Sequence, residues 1–193
     1  MPENLKRAIL FRTDNVKDSD ADAKIDAMSD HLQGLGWETE SFKNCSVNDI
    51  ENGIKSLETD PPTYYSRILI LVHDDQRYVE TGDRMRGYYT SEGGGEVEIK
   101  ILDRFVAEKI EYDELTWVEM GPRSGISVQH CLNSISESAL VIASRDMKDP
   151  TTPDEFNLMN ALKEEDFKVA ALMERERLTG IQSVQIEDHG TVL

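Results

Sequence analysis

Of the side chains in this sequence able to carry chemistry, His73 has the most telling position. It directly follows the apolar run Ile68-Leu69-Ile70-Leu71-Val72 and precedes Asp74 and Asp75. An imidazole at the carboxyl end of a buried strand is placed to act as a general base, because clefts of open α/β sheets lie at those strand ends. Taken alone, such a histidine is as readily a structural or exposed residue. A second strand end of the same kind is Leu115-Thr116-Trp117-Val118, which runs into Glu119-Met120-Gly121-Pro122. Cys131 offers a nucleophile, since Cys and His form an attacking pair in many enzymes. It follows His130 directly, however, and sequential neighbours rarely face each other. It also lies well past the strand end where a cleft is expected. Cys45 is a weaker candidate still.

Other chemistries find no support in the spacing. The histidines His31, His130 and His189 lie on a helical pattern, in a polar connection and near the chain end. No His-x-x-x-His or Cys-x-x-Cys pair is present, so no metal site and no cofactor is expected. Gly93-Gly94-Gly95 follows no strong strand and lacks a following Lys-Ser/Thr, so it reads as a surface turn rather than a phosphate loop. The hydrolase elbow Gly-x-Ser-x-Gly is missing. Asp74 and Asp75 could form an acidic, metal-assisted pocket of the receiver type, but adjacent carboxylates arise readily by chance in so acidic a chain.

The 193 residues carry 21 Lys+Arg against 38 Asp+Glu, a net charge of −17, with 38% hydrophobic residues. That length predicts one domain with one core. The negative charge repels phosphate backbones, and the short basic groups Arg84/Arg86 and Arg175/Arg177 are diluted by acids, so nucleic acid is not an expected partner. Mean hydropathy is −0.51 and no apolar run exceeds five residues, which leaves no membrane span. The first residues lack the apolar core of a signal peptide, and two cysteines cannot build a disulfide framework. A cytoplasmic protein is the expectation.

The elements that must hold these side chains alternate along the chain. Ala8-Ile9-Leu10-Phe11 reads as a buried strand, and Ile25, Met28, Leu32 and Leu35 recur at helical spacing up to the stop at Gly34 and Gly36. Trp37 to Phe42 alternates weakly, as a strand does. Ser46-Val47-Asn48-Asp49 has the form of a capping box with Asp in the acid position, ahead of Val47, Ile50, Ile54 and Leu57. Arg67 to Val72 is the strongest strand, apolar from Ile68 onward and thus covered on both faces. Gln76 to Glu96, with Gly82, Gly87 and Gly93-Gly94-Gly95, reads as a loop-rich stretch. Ile99, Leu102, Phe105, Val106 and Ile110 mark a helix, Leu115 to Val118 a strand, and Ala139 to Ala143 another. Two helices around Phe156–Leu162 and Phe167–Leu178 and a terminal strand around Val184 and Ile186 complete the order. Strands alternating with single helices predict an α/β sandwich on a mostly parallel sheet.

This order resembles the caspase family over roughly Lys6 to Val192. Leu35-Gly36-Trp37-Glu38 is similar to the family's turn after the first helix, and Ser46-Val47-Asn48-Asp49 to its next helix start. Leu71-Val72-His73-Asp74 stands where the family has Leu-Ser-His-Gly, and Glu119-Met120-Gly121-Pro122-Arg123 where it has Gln-Ala-Cys-Arg-Gly. Glu137 to Ser144 resembles the small-subunit strand. The resemblance implies a caspase-like three-layer sandwich: a mostly parallel six-stranded sheet with helices on both faces. It implies a single domain, with residues 6–125 like the large subunit and 126–193 like the small one. The linker Ser124 to Ser136 is short, contains no Asp, and is expected to stay uncut.

On this resemblance His73 carries over to the catalytic histidine and Gly121 to the nucleophile position. Glycine has no side chain to attack with. The loop Val16 to Ala23 has no Arg to hold a substrate aspartate, and Asp18, Asp20 and Asp22 there cannot make a cation pocket. An inactive caspase homologue is therefore expected, with catalytic residues none and His73 and Gly121 as degenerate site positions. The resemblance further implies a regulator of apoptosis that binds an active caspase or its precursor through the terminal edge strand, at Gln182, Val184, Gln185 and Ile186, and modulates its self-activation, by inhibition through occupying the interface or, as the alternative, by activation through ordering the partner's loops. A homodimer through the same edge is a second arrangement. The alternatives are a cysteine peptidase using Cys131 with His73, and a flavodoxin-like or receiver-like α/β binding domain.

Overall fold

The computed structural model describes residues 5–17, 20–75, 77–82, 84–120, 139–144 and 184–188. A six-stranded sheet forms its centre, in the order β2-β1-β3-β7-β8-β9, from β1 (Lys6–Thr13), β2 (Glu38–Cys45), β3 (Tyr64–His73), β7 (Glu111–Met120), β8 (Ala139–Ser144) and β9 (Val184–Asp188). β1 pairs in parallel with β2 and β3, and β7 with β3 and β8; β9 alone runs antiparallel, against β8. The mostly parallel six-stranded sheet expected from the sequence is thus present. The 125/126 boundary and the segment from 156 to 178 lie outside the described residues.

Two helices cover one face. Ile50, Ile54 and Leu57, from α2 (Val47–Lys55) and its end, join Ile99, Leu102 and Val106 of α3 (Ile99–Lys109) over Ile9, Phe11, Ile68, Ile70, Val72, Leu115 and Trp117. The alternate residues of β1, Ala8 and Leu10, face the other way, and α1 (Ala21–Gly34) packs along β1 and β2 with Ala21, Ile25 and Leu32 buried. Helices therefore stand on both faces.

Local chemistry sets the helix limits. The Ser46 hydroxyl accepts from Asp49 N–H at 3.4 Å, and the Asp49 carboxylate accepts from Ser46 N–H at 2.7 Å, so the shorter acid completes the capping box. α1 closes with a Schellman pair, Trp37 N–H to Leu32 O and Gly36 N–H to Gln33 O, both 3.0 Å. Gly36 takes the left-handed conformation, φ +80°, that this ending requires.

One expectation is overturned. Most of the described residues between Gln76 and Glu96 are strand and not loop: β4 (Arg77–Thr81), β5 (Arg84–Thr90) and β6 (Glu96–Glu98) form a separate antiparallel sheet. Its strands are charged and poor in aliphatic residues, so no apolar alternation announces them. Backbone ladders and a single deeply buried ring, Tyr89, secure the sheet instead. Gly93-Gly94-Gly95 is the β5–β6 turn, with Gly94 at φ +79° and Ser91 N–H bonded to Gly95 O.

Candidate functional site

The carboxyl ends of β1, β3 and β7 lie side by side. Arg12 is the Cα partner of His73, and His73 the Cα partner of Met120. His73 is the last residue of β3, only 5% exposed, and stands on the opposite face from Val72 and the core cluster. β7 ends at Met120, one residue before Gly121, which itself lies outside the described residues. The topology thus brings the two strand ends that the sequence singled out next to one another.

Two features near these strand ends were missed by sequence reasoning. The first is Arg12, which closes the apolar strand. Its Nε donates to Asp22 Oδ1 at 2.7 Å and its Nη1 to the carbonyls of Thr13 and Val16 at 3.3 Å. A cation does stand at this edge, at the end of the strand and not in the loop Val16 to Ala23. Asp22, counted as an obstacle to a cation pocket, is its counter-ion. An arginine ending an otherwise apolar strand was the available signal.

The second is a buried carboxylate. Glu119 has no exposure, and its Oε1 accepts from Trp117 Nε1 at 2.7 Å and from the Tyr89 hydroxyl. Trp117 and Glu119 are two apart on a strand and so share a face, the face of the α2/α3 core. The Tyr89 phenol is held well above its ordinary pKa, first by burial and then by the Glu119 charge.

Asp74 and Asp75 do not converge on a shared pocket. Asp74 is wholly buried while Asp75 is exposed. The Asp74 carboxyl lies 2.5 Å from Thr13 Oγ1 and accepts from Thr90 N–H at 3.0 Å. Among the described residues, no three His, Cys, Asp or Glu side chains are grouped to hold a metal ion, and no helix is long and apolar enough to cross a membrane.

Cys45 ends β2 opposite Thr13, 4% exposed, and burial pushes its thiol up to about 12, with Asp49 adding to the shift. It stays protonated at neutral pH and does not supply a thiolate. Asn44 forms the bulge that seats it, at φ +51° in a left-handed conformation that asparagine tolerates. Cys131, His130 and His189 lie outside the described residues; His31 is on α1. Of the proposed partner-binding residues, Val184, Gln185 and Ile186 lie in β9, the outermost strand of the sheet order, and Gln182 is outside the described residues.

No protein-family model and no curated protein sequence matches the chain. Its fold is similar to that in the crystal structure of the Drosophila initiator caspase Dronc. The TM-score is 0.62 at 9% sequence identity, and the match covers 96% of this chain and 79% of the Dronc chain. The chain has a caspase-like fold, an α/β sandwich built on a mainly parallel central sheet.

Proposed function

We propose that this protein is a non-proteolytic, caspase-like regulator of apoptosis that binds an active caspase or its precursor in the cytoplasm and inhibits its self-activation. The observation that carries this reading is the end of β7. The strand runs Trp117-Val118-Glu119-Met120 beside His73, and the next residue in the sequence is Gly121. Acyl transfer by a cysteine peptidase begins with a thiolate, and glycine has none to offer. Cys45, the described cysteine, is buried and protonated. Arg12, the cation at the same edge, is already engaged by Asp22.

The reading also draws on β9. As the last strand of the sheet order it has one ladder partner, β8, among the described residues. A strand with a free edge can accept a second strand through main-chain hydrogen bonds, which suits association with a domain of the same fold.

The test mixes the purified protein with an active caspase precursor from the same organism, following precursor processing and cleavage of a fluorogenic Asp substrate. Slower processing, with no cleavage by the protein alone, is the expected result. Accelerated processing would reverse the sign of the regulation. Asp-directed cleavage by the protein alone, abolished by Cys131→Ala, would replace this reading with the Cys131/His73 peptidase.

A further inference from the structure

The two prolines after α2 are not what ends that helix. It stops at Lys55, and the Ser56 N–H closes its last turn on Asn52 O at 2.9 Å. Pro61 and Pro62 stand beyond that point, both exposed, in the connection to β3. They lead into Thr63 and Tyr64, so the segment reads Pro-Pro-Thr-Tyr. Tyr64 is 39% exposed and, with Ile101, is one of two large hydrophobic side chains left exposed among the described residues. Its neighbour Tyr65 is the one that enters the core. Helix termination and core packing therefore leave this proline pair and aromatic ring unexplained.

We propose that Pro61-Pro62-Thr63-Tyr64 is a docking segment for a partner that carries a WW-type proline-binding module. Such modules hold an extended, proline-rich ligand in a groove lined by aromatic side chains. Proline fixes its own φ near −65°, and a residue that precedes proline is biased to the extended region, so Pro61-Pro62 is held toward polyproline II. The peptide bonds from Pro61 to Tyr64 are trans. In polyproline II, with three residues per turn, positions 61 and 64 come to the same side, which lets a proline ring and the Tyr64 ring enter one groove together. The spacing is Pro-Pro-x-Tyr and not Pro-x-x-Pro, which favours a WW groove over an SH3 groove.

The fold presents the segment from both ends. On one side the Thr59 hydroxyl donates to Pro61 O at 2.9 Å and lies 2.7 Å from Thr63 Oγ1. On the other, Tyr64 pairs in β3 with Glu111 of β7, and the Tyr65 hydroxyl donates to Leu57 O at 3.1 Å. A segment ordered in advance loses less conformational freedom on binding. The Tyr64 hydroxyl donates to Asp113, but both groups are exposed, so water or a partner can replace that bond at little cost. Glu58, Asp60, Glu111 and Asp113 are exposed beside the segment, which suits a groove with a basic rim. Tyr64 opens β3 and His73 closes it, roughly 30 Å away along the strand, so a partner docked here leaves the His73 end uncovered. The proposal does not depend on the regulatory reading above.

The test titrates the intact chain into an isotope-labelled WW domain of the class that takes Pro-Pro-x-Tyr peptides, with a free peptide of residues 58–65 in parallel. Saturable NMR shifts of the aromatic groove, its tryptophan indole included, are expected with both. Tyr64→Ala and the pair Pro61→Ala/Pro62→Ala should each weaken binding of the chain about tenfold or more, as loss of an interface anchor does. Thr63→Ser, at the position between the anchors, should leave it unchanged. Replacing the groove tryptophan of the WW probe by alanine should abolish the shifts, and this needs no variant of the chain, so a misfolded variant does not spoil the test. Binding by the free peptide and not by the intact chain overturns the proposal, because the segment is then closed off in the fold. Absence of binding by either, or binding that survives the groove substitution, overturns it as well.

Discussion

The Tyr89 hydroxyl donates to Glu119 Oε1, and the same oxygen takes the Trp117 indole N–H at 2.7 Å. Tyr89 belongs to the hairpin sheet and Glu119 to the end of β7, so one buried contact fixes the small sheet against the strand that leads to Gly121. All three side chains are fully buried. A carboxylate at such depth is tolerable only because hydrogen-bond donors surround it, and the core around it is otherwise apolar.

Tyr89→Phe keeps the ring and removes the hydroxyl, which donates to Glu119 and also accepts from Trp117 Nε1 at 3.1 Å. Glu119 then loses one of its partners in a buried, otherwise apolar site. A loss of about 1–3 kcal/mol is expected, the cost of leaving a buried polar group under-satisfied. Urea denaturation should show a lower midpoint with an unchanged slope. An unchanged midpoint would mean that the phenol carries no such role.

The sequence made some of this fold plain and hid the rest, for identifiable reasons. The Ser46–Asp49 box, the Ile25/Leu32 stripe and the apolar β3 run are local patterns, and local patterns survive in one dimension. The Tyr89–Glu119 contact and the Thr13–Asp74 pair join residues far apart in sequence, and no spacing rule encodes them. β4 and β5 were invisible because they hold few aliphatic residues and no sustained apolar alternation. At the candidate site, the neighbourhood of His73 and the β7 end was legible from strand order. Arg12 was not, since its role depends on a counter-ion supplied by α1.

Two glycines of helices should answer substitution with opposite signs. Gly53 lies on the face of α2 above the stacked rings of Phe11 and Phe42, whose centroids are 5.0 Å apart. A Cβ there would come within 2.7 Å of the Phe11 ring, which is itself fully buried and cannot swing away. Gly53→Ala is therefore expected to destabilise by about 1–3 kcal/mol through overpacking, despite alanine's better helix propensity. Gly34, the last residue of α1, has nothing within 4 Å of the same position and no left-handed φ. Gly34→Ala should stabilise by roughly 0.5–1 kcal/mol. Thermal melts of the two variants check the pair, and a stabilised Gly53→Ala would show that the Phe11 ring yields.

The edge-strand role of β9 can be tested through its backbone donors. Along an antiparallel edge strand, successive N–H groups point alternately toward the neighbouring strand and away from the sheet. Gln185 and Ile186, partners of Ala143 and Ile142, are therefore of opposite kinds. Proline has no N–H, and it is tolerated on an edge only where the missing donor faces outward. Of Gln185→Pro and Ile186→Pro, one should melt close to the parent protein and the other well below it. The well-folded variant is the one that has lost an outward donor, and it should also lose its effect on precursor processing, because an added strand needs that hydrogen bond and cannot pass the ring. If it instead retains the full effect, the partner does not dock on β9, and the contact must be sought on another face of the domain.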